Sequence, residues 1–303
     1  MRKLALSDEI LLKVDKAARY IGGEVNSVMK DKNAVDIRFA MCFPDVYEIG
    51  MSNLGMMILY NMFNQREDVW CERLFSPWPD LDKVMREKKI PLFALESQEP
   101  IRDFDFLGIT IGYEMCYTNI LQVLDLSGIP LKSADRGEDF PIVIGGGACA
   151  YNPEPLAPFF DMFYIGEGET VYDALFDAYK ANKKAGGSRK DFLLAAAKIP
   201  GIYVPSLYEV TYKEDGTIAS FAPTADGVPE KVQKQLIIDM EKEYRAVEAP
   251  VVPHIKATQD RVTLEIQRGC IRGCRFCQAG MIYRPTRERD VETLKESARI
   301  MLK

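Results

Sequence analysis

Short apolar runs alternate with amphipathic segments between residue 34 and about residue 185. The apolar runs predict strands, and they read "AVDIRFAMCF", "VWCERLF", "PLFALE", "DFDFLGITIG", "PIVIGGGAC" and "DMFYIG". The segments between them have the apolar spacing of helices, and they read "SNLGMMILYNMFNQ", "PDLDKVMREKK", "YTNILQVLDLSG" and "ETVYDALFDAYKANKK". This alternation predicts an α/β domain over residues 34–185, with a doubly wound, mostly parallel sheet and right-handed crossovers.

Three further regions flank this domain. Residues 1–33 carry charges throughout and predict a helical lead-in. Residues 186–257 predict a connector with a β-hairpin around Asp215 and Gly216. In residues 258–303, "RVTLEIQRGC" predicts a buried strand and "DVETLKESARIMLK" predicts an amphipathic helix capped by Asp290. We expect an apolar stripe of this helix to be exposed on one side, and its residues are Val291, Leu294, Ala298, Met301 and Leu302.

The length and net charge of the chain limit the classes of protein to which it can belong. The chain has 303 residues and a formal net charge of −6. A chain of this length buries about three quarters of its unfolded surface, so its stability does not require disulfides. The sequence has no signal-peptide pattern and no apolar run near the roughly 20 residues of a membrane span, which predicts a cytoplasmic protein without a membrane partner. The negative charge opposes broad affinity for nucleic acid, because such affinity depends on basic side chains at phosphates.

Three of the seven cysteines lie close together. Cys270, Cys274 and Cys277 give the spacing C-x3-C-x2-C. A structural zinc site takes four Cys or His ligands, and the single histidine, His254, has the context of a loop residue. Three thiolates suit a cubane iron-sulfur cluster whose fourth iron is left open, with zinc or incidental thiols as the alternatives. The other cysteines stand alone in apolar contexts and are predicted to be core residues: Cys42, Cys71, Cys116 and Cys149.

Arginines crowd around these cysteines although the chain as a whole is acidic. Six arginines lie between residues 268 and 289, against one acid, Glu288. They form either a solvated surface or a set of guanidinium groups that faces an anionic ligand or substrate. The candidates for binding an anion are the four inner arginines of this set, Arg272, Arg275, Arg284 and Arg287, which lie between Arg268 and Arg289.

The stretch "CIRGCRFC" follows an apolar strand and has an aromatic residue before its last cysteine. In these respects it resembles the cluster loop of the radical S-adenosylmethionine (radical SAM) enzymes. Other stretches extend the resemblance over nearly the whole chain, to the cobalamin-binding radical SAM proteins. Those stretches are "GYEMCYTNILQVLDLSGIPL", "PIVIGGGACAYNPEPLAPFFDMFYIGEGE" and "CQAGMIYRPTRER".

The resemblance implies that Cys270, Cys274 and Cys277 hold a 4Fe-4S cluster, with S-adenosylmethionine on its open iron and Phe276 beside the adenine. An external electron donor would reduce the cluster, and cleavage of S-adenosylmethionine would give a 5'-deoxyadenosyl radical. The implied fold is a Rossmann-like sheet of the cobalamin-binding type, then a partial TIM barrel. Residues 258–303 have room for only the first strand-helix unit of that barrel. We therefore expect the rest of the barrel to be missing and this chain to be inactive alone.

Cobalamin is the third cofactor that the resemblance implies. The candidate site comprises two glycine-rich strand ends, for which tight turns are the alternative interpretation: Gly145, Gly146, Gly147, Gly166, Glu167 and Gly168. Cobalamin domains that replace the cofactor's own base carry the pattern Asp-x-His-x-x-Gly. Here Asp45, Tyr47 and Gly50 have that spacing, with tyrosine in place of histidine. We therefore expect cobalamin to be bound without histidine ligation, or to have been lost.

Two functional hypotheses follow from different classes. The first is a radical SAM enzyme that transfers a methyl group or performs a related radical step on an unknown substrate. The second is an iron-sulfur module for electron transfer or binding, whose front domain has lost cobalamin. The open fourth iron separates them, because an electron relay normally has four protein ligands.

Overall fold

The structure is a computed structural model that describes residues 3–244 and 246–302. A six-stranded sheet forms the centre of the protein. Its strands follow the order β2-β1-β3-β4-β5-β6. The first five strands in that order are parallel, and β6 pairs antiparallel with β5. The strands are β1 (Ile37–Phe43), β2 (Val69–Phe75), β3 (Phe106–Thr110), β4 (Ile142–Gly146), β5 (Met162–Tyr164) and β6 (Ile202–Tyr203).

Helices cover both faces of this sheet. Alternate residues of β1 point to opposite faces: Phe39 and Met41 join one apolar cluster, and Ala40 and Cys42 join the other. The first cluster includes side chains of α3, α6 and α7, and the second includes side chains of α4 and α5. The predicted Rossmann-like, doubly wound α/β fold is therefore confirmed. The α-helices up to residue 200 are α1 (Asp8–Leu11), α2 (Tyr47–Gly50), α3 (Leu54–Gln65), α4 (Pro79–Lys88), α5 (Tyr117–Leu126), α6 (Tyr172–Lys184) and α7 (Arg189–Ala196).

The connector contains the predicted hairpin. Its strands β7 (Tyr208–Tyr212) and β8 (Ile218–Pro223) pair antiparallel. The turn is closed by Asp215, whose carboxylate accepts a hydrogen bond from the Thr217 backbone N–H at 2.9 Å. The local turn signal in the sequence was therefore sufficient to locate this element.

Residues 258–302 form a strand pair, a short helix and a longer one. The elements are β9 (Gln267–Arg268), α8 (Ala279–Ile282), β10 (Arg287–Glu288) and α9 (Val291–Met301). Asp290 caps α9 as predicted, because its carboxylate accepts hydrogen bonds from the backbone of Glu292 and Thr293. Helix α9 contains no buried residue, but the predicted stripe is exposed only at its ends, Val291 and Leu302. Its other members are half-buried: Leu294, Ala298 and Met301.

Three segments differ from their predicted form. The strand expected in "RVTLEIQRGC" is present only as β9, which pairs antiparallel with β10, while Ile266 beside it is 61% exposed. "PLFALE" is buried but turns back on itself, with the Ala94 backbone N–H donating to the Glu99 carbonyl at 3.1 Å. In the described part of the lead-in, residues 3–33, there are one short helix and a single 3₁₀ turn, and ion pairs such as Arg19 with Glu48 anchor this segment.

Within the described ranges, no helix combines the length and the apolar character needed to span a bilayer.

Candidate functional site

A cavity of about 570 Å³ opens at the carboxyl edge of the sheet. Its apolar wall includes Phe39 and Met41 of β1 and Ile109 of β3. The strand order reverses between β1 and β3, and crevices at such reversals are the usual ligand sites of doubly wound sheets. Glu265 and Arg268, just before the cysteine loop, also line the cavity. The volume lies within the range typical of small-molecule pockets.

The two glycine-rich strand ends meet at this cavity. Gly146 and Gly147 line it at the end of β4, and Gly166, Glu167 and Gly168 line it after β5. A Cβ atom on Gly146 would have no atom within 4 Å, so its backbone is open to a ligand. Gly145 is different, because a Cβ there would lie 2.8 Å from both Ile111 and Phe163 inside the domain. Five of the six glycine-segment candidates therefore lie together at one cavity.

The Asp45, Tyr47 and Gly50 pattern lies outside the cavity lining. Tyr47 is buried and its hydroxyl donates to Glu24 at 2.9 Å, while burial raises the pKa of this phenol. Asp45 accepts a hydrogen bond from Tyr113. A Cβ on Gly50 would lie 2.2 Å from the Phe75 ring, so that glycine serves close packing.

His254 is a loop residue, as its sequence context predicts. Its backbone N–H donates to the Tyr47 hydroxyl at 3.3 Å, and its Nε2 lies 3.2 Å from the Gly22 carbonyl oxygen. These contacts hold the connector against the lead-in. The ring is not part of the cavity lining.

The three clustered cysteines lie on a loop between β9 and α8. All three are free thiols: Cys274 is exposed, while Cys270 and Cys277 are half-buried. Phe276 is 92% exposed. The three cysteines fit the ligand chemistry of an iron-sulfur cluster, because their free thiols lie on one accessible loop. Across residues 3–244 and 246–302, no three Cys, His, Asp or Glu side chains converge as a metal site.

The other four cysteines are buried, as predicted. Burial raises the pKa of Cys42, Cys71, Cys116 and Cys149, so these thiols stay protonated at neutral pH.

Some arginines around the loop form hydrogen bonds within the protein, and others are exposed to solvent. Arg287 forms a bidentate pair with Glu167, at 2.8 and 2.7 Å. Arg284 donates to the backbone carbonyls of Cys270 and Arg272. The side chains of Arg272 and Arg275 are exposed. Of the four anion candidates, Arg272 and Arg275 are thus the most accessible to a ligand from solution.

Arg268 lies at the start of the loop and is enclosed by carboxylates. Its guanidinium donates to Glu169 at 2.6 Å and to Glu265 at 2.9 Å, and it lies 3.3 Å from Glu167. Burial acts to lower the pKa of Arg268, but its hydrogen bonds to the carboxylates of Glu265 and Glu169 outweigh burial and raise the pKa. Sequence reasoning did not select these pairings, because Glu169 and Arg268 are 99 residues apart.

Tyrosines near the loop supply neutral hydrogen-bonding groups. Tyr283 lines the cavity, and burial raises its pKa. Burial also raises the pKa of nearby Tyr151 to about 12. Both phenols therefore stay protonated at neutral pH and available to donate hydrogen bonds.

Comparison with known proteins supports a relationship to one family. Residues 55–205 match the family described as "Radical SAM proteins, N-terminal". This match covers the sheet from α3 to β6 and does not include the cysteine loop. An uncharacterized protein of Methanocaldococcus jannaschii is 26% identical over 256 residues, which are 84% of this chain and 44% of that protein.

A solved structure also resembles the chain. It is the radical S-adenosylmethionine methyltransferase TsrM from Kitasatospora setae, with tryptophan substrate and a SAM analogue (aza-SAM) bound. The TM-score is 0.41 at 15% sequence identity, over 86% of this chain and 44% of that one. The chain thus spans less than half the length of either similar protein. The family match over residues 55–205, just under half of the chain, supports a relationship between this chain and the radical SAM proteins.

Proposed function

We propose that this chain carries the cluster loop and the cobalamin-type domain of a radical SAM enzyme. The observation that carries the proposal is the placement of three free thiols on a loop whose first residue, Gly269, lines the cavity at the carboxyl edge of the sheet. Cys270, Cys274 and Cys277 would hold a 4Fe-4S cluster. Such a cluster, when bound and reduced by an external electron donor, supplies the electron that cleaves S-adenosylmethionine.

The residues of the chain have distinct proposed roles at this site. Phe276 is free to stack on the adenine of S-adenosylmethionine, because its ring is exposed on the cysteine loop. The open backbone at Gly146 would accept the face of a corrinoid. Arg272 and Arg275 would attract an anionic substrate, since they are exposed and carry positive charge. The reaction proposed is methyl transfer or a related radical step on that substrate.

Titration with S-adenosylmethionine tests the enzyme against the electron-relay alternative. We expect added S-adenosylmethionine to shift the electron paramagnetic resonance (EPR) spectrum of the reduced, reconstituted protein, because three cysteines leave one iron free to take a new ligand. Adenosine, which lacks the amino and carboxylate groups, serves as the control and should leave the spectrum unchanged. A spectrum that S-adenosylmethionine does not alter would favour a relay cluster.

Cobalamin binding without histidine gives a second prediction. We expect cob(II)inamide, which lacks the cofactor's own base, to bind with no nitrogen splitting in its EPR spectrum. The reason is that His254 is the single histidine and lies outside the cavity lining. Gly146→Phe is the matched control, since its side chain would fill the cavity without meeting protein atoms near its Cβ, and it should abolish binding. Nitrogen splitting would contradict the proposal, and no binding to the wild type would favour a domain that has lost cobalamin.

A further inference from the structure

We propose that Glu167 and Glu169 are positioning residues that hold the cysteine loop at the rim of the cavity. The four side chains involved, Glu167, Glu169, Arg268 and Arg287, are called the carboxylate clamp. The chemistry assigned to the loop rests on the proposed function. The clamp itself concerns only contacts between side chains of this chain.

The two arginines of the clamp mark the two ends of the loop. Arg268 in β9 and Arg287 in β10 are direct partners in the antiparallel ladder. The chain between them, residues 269–286, contains all three clustered cysteines. Gly269 lets the two ends approach, because it has φ +88° and a Cβ there would lie 2.4 Å from the Pro285 carbonyl oxygen. A group that fixes these two arginines therefore fixes both ends of the loop.

Both arginines are bound by one segment of the sheet domain. The Glu167 carboxylate accepts two hydrogen bonds from Arg287 in a bidentate pair. The Glu169 carboxylate accepts from Arg268, with a shortest distance of 2.6 Å. The remaining donors of Arg287 reach the carbonyls of Ile237, Tyr283 and Pro285. The four clamp side chains are at most 10% exposed. Bidentate pairs of this kind define direction as well as distance.

The segment that bears the glutamates is itself held in place. The Glu167 backbone N–H donates to the Gln235 carbonyl at 3.0 Å, and the Glu167 carboxylate accepts from the Ile237 backbone N–H at 3.0 Å. Gly166 has φ +142°, and a Cβ there would lie 2.3 Å from the Gln235 carbonyl oxygen. The glutamates therefore project from a backbone with little freedom to shift.

The clamp also forms part of the cavity wall. Glu167, Glu169 and Arg268 line the cavity, as do Gly269 and Tyr283 from the two ends of the loop. A ligand that fills the cavity therefore touches the sheet domain and the loop at once. This is a geometry in which the clamp sets the distance between that ligand and the thiols.

Hydrogen exchange of iron-free protein tests the clamp directly. We expect Glu167→Gln and Glu169→Gln to speed exchange in peptides from residues 267–288 by about fivefold or more, because each removes a buried charged contact between the sheet domain and one end of the loop and favours local opening. Glu167→Gln leaves Arg287 without its bidentate carboxylate, whereas Glu169→Gln leaves Arg268 with Glu265 and a 3.3 Å contact to Glu167. Peptides from β1 report global unfolding and should keep their wild-type rate. Glu169→Asp keeps the charge and should partly restore the protection of the loop.

Asp161→Asn provides the matched control. Asp161 is a buried carboxylate that pairs with Arg136 and Arg189, and it immediately precedes β5, whereas Glu167 follows the same strand. We expect this variant to leave exchange in residues 267–288 at the wild-type rate. Equal acceleration in Asp161→Asn and Glu169→Gln, or wild-type rates in both glutamine variants, would overturn the proposal.

The EPR spectrum of reconstituted protein adds a readout that a purely structural role would not change. We expect Glu169→Gln to alter the g values of the reduced cluster, since the loop would take a different position relative to its surroundings. Spectra identical to the wild type would overturn the positioning role. If the wild type binds no iron, the proposed function fails, whereas the exchange rates still decide whether the clamp holds the loop.

Discussion

Replacing Cys270, Cys274 and Cys277 together by serine is expected to reduce bound iron from about four atoms per chain to less than about one after anaerobic reconstitution. Single replacements should lose most of the visible absorbance, because the chain supplies three thiols at this loop and a cubane needs each of them. Iron and sulfide analysis together with the visible spectrum would measure the effect.

Cys116→Ser is the matched control for this prediction. Cys116 is a buried thiol that donates to the Tyr113 carbonyl, and a serine hydroxyl can make the same hydrogen bond. This variant should bind as much iron as the wild type. Iron retained by the triple variant, or zinc in place of iron in the wild type, would contradict the assignment of the cluster to the loop.

Periodicity and local signals were enough to predict the sheet and several of its boundaries. The β1 run "IRFAMCF" has apolar residues on both faces, as expected for a strand covered by helices on each side. The turn at Asp215 and Gly216 and the helix cap at Asp290 are local signals, because each is formed by residues close to each other in the chain. Such features do not depend on distant partners.

Features formed by distant partners were beyond sequence reasoning. "RVTLEIQRGC" has the composition of a buried strand, yet a strand is buried only where neighbours cover it. Among the described residues, β9 of this segment pairs with β10 alone. Arg287 was a candidate for an external anion, but it pairs with the protein's own Glu167. Tyr47 matched a cofactor pattern by spacing while its hydroxyl bonds to Glu24 in the interior. In each case the deciding contact joins residues far apart in sequence.

A buried ionic network links the lead-in to the sheet behind the site. The Arg73 side chain is fully buried, with ion pairs to Glu24 at 2.7 Å and to Glu96 at 2.6 Å. Burial acts to raise the pKa of Glu24, but Arg73 outweighs it and the net pKa is lowered. Because a depressed folded-state pKa stabilises the protein above the unfolded value, this contribution is present at neutral pH and lost on acidification. Val25, next to Glu24, bridges Val252 of the connector that leads to the cysteine loop.

Arg73→Met is expected to lower the free energy of unfolding by about 3–5 kcal/mol at neutral pH, because it leaves the carboxylate of Glu24 buried without its cation. Urea denaturation at pH 7 and pH 5 would measure this. The loss should be smaller at pH 5, since buried carboxyls without a cation have raised pKa values and become neutral by taking up protons as the pH falls.

Arg86→Met is the control: Arg86 is 47% exposed in its pairs with Asp82 and Asp125, so its removal should cost less than about 1 kcal/mol. Equal losses in the two variants, or a loss in Arg73→Met that grows on acidification, would show that the network does not stabilise the fold through its charges.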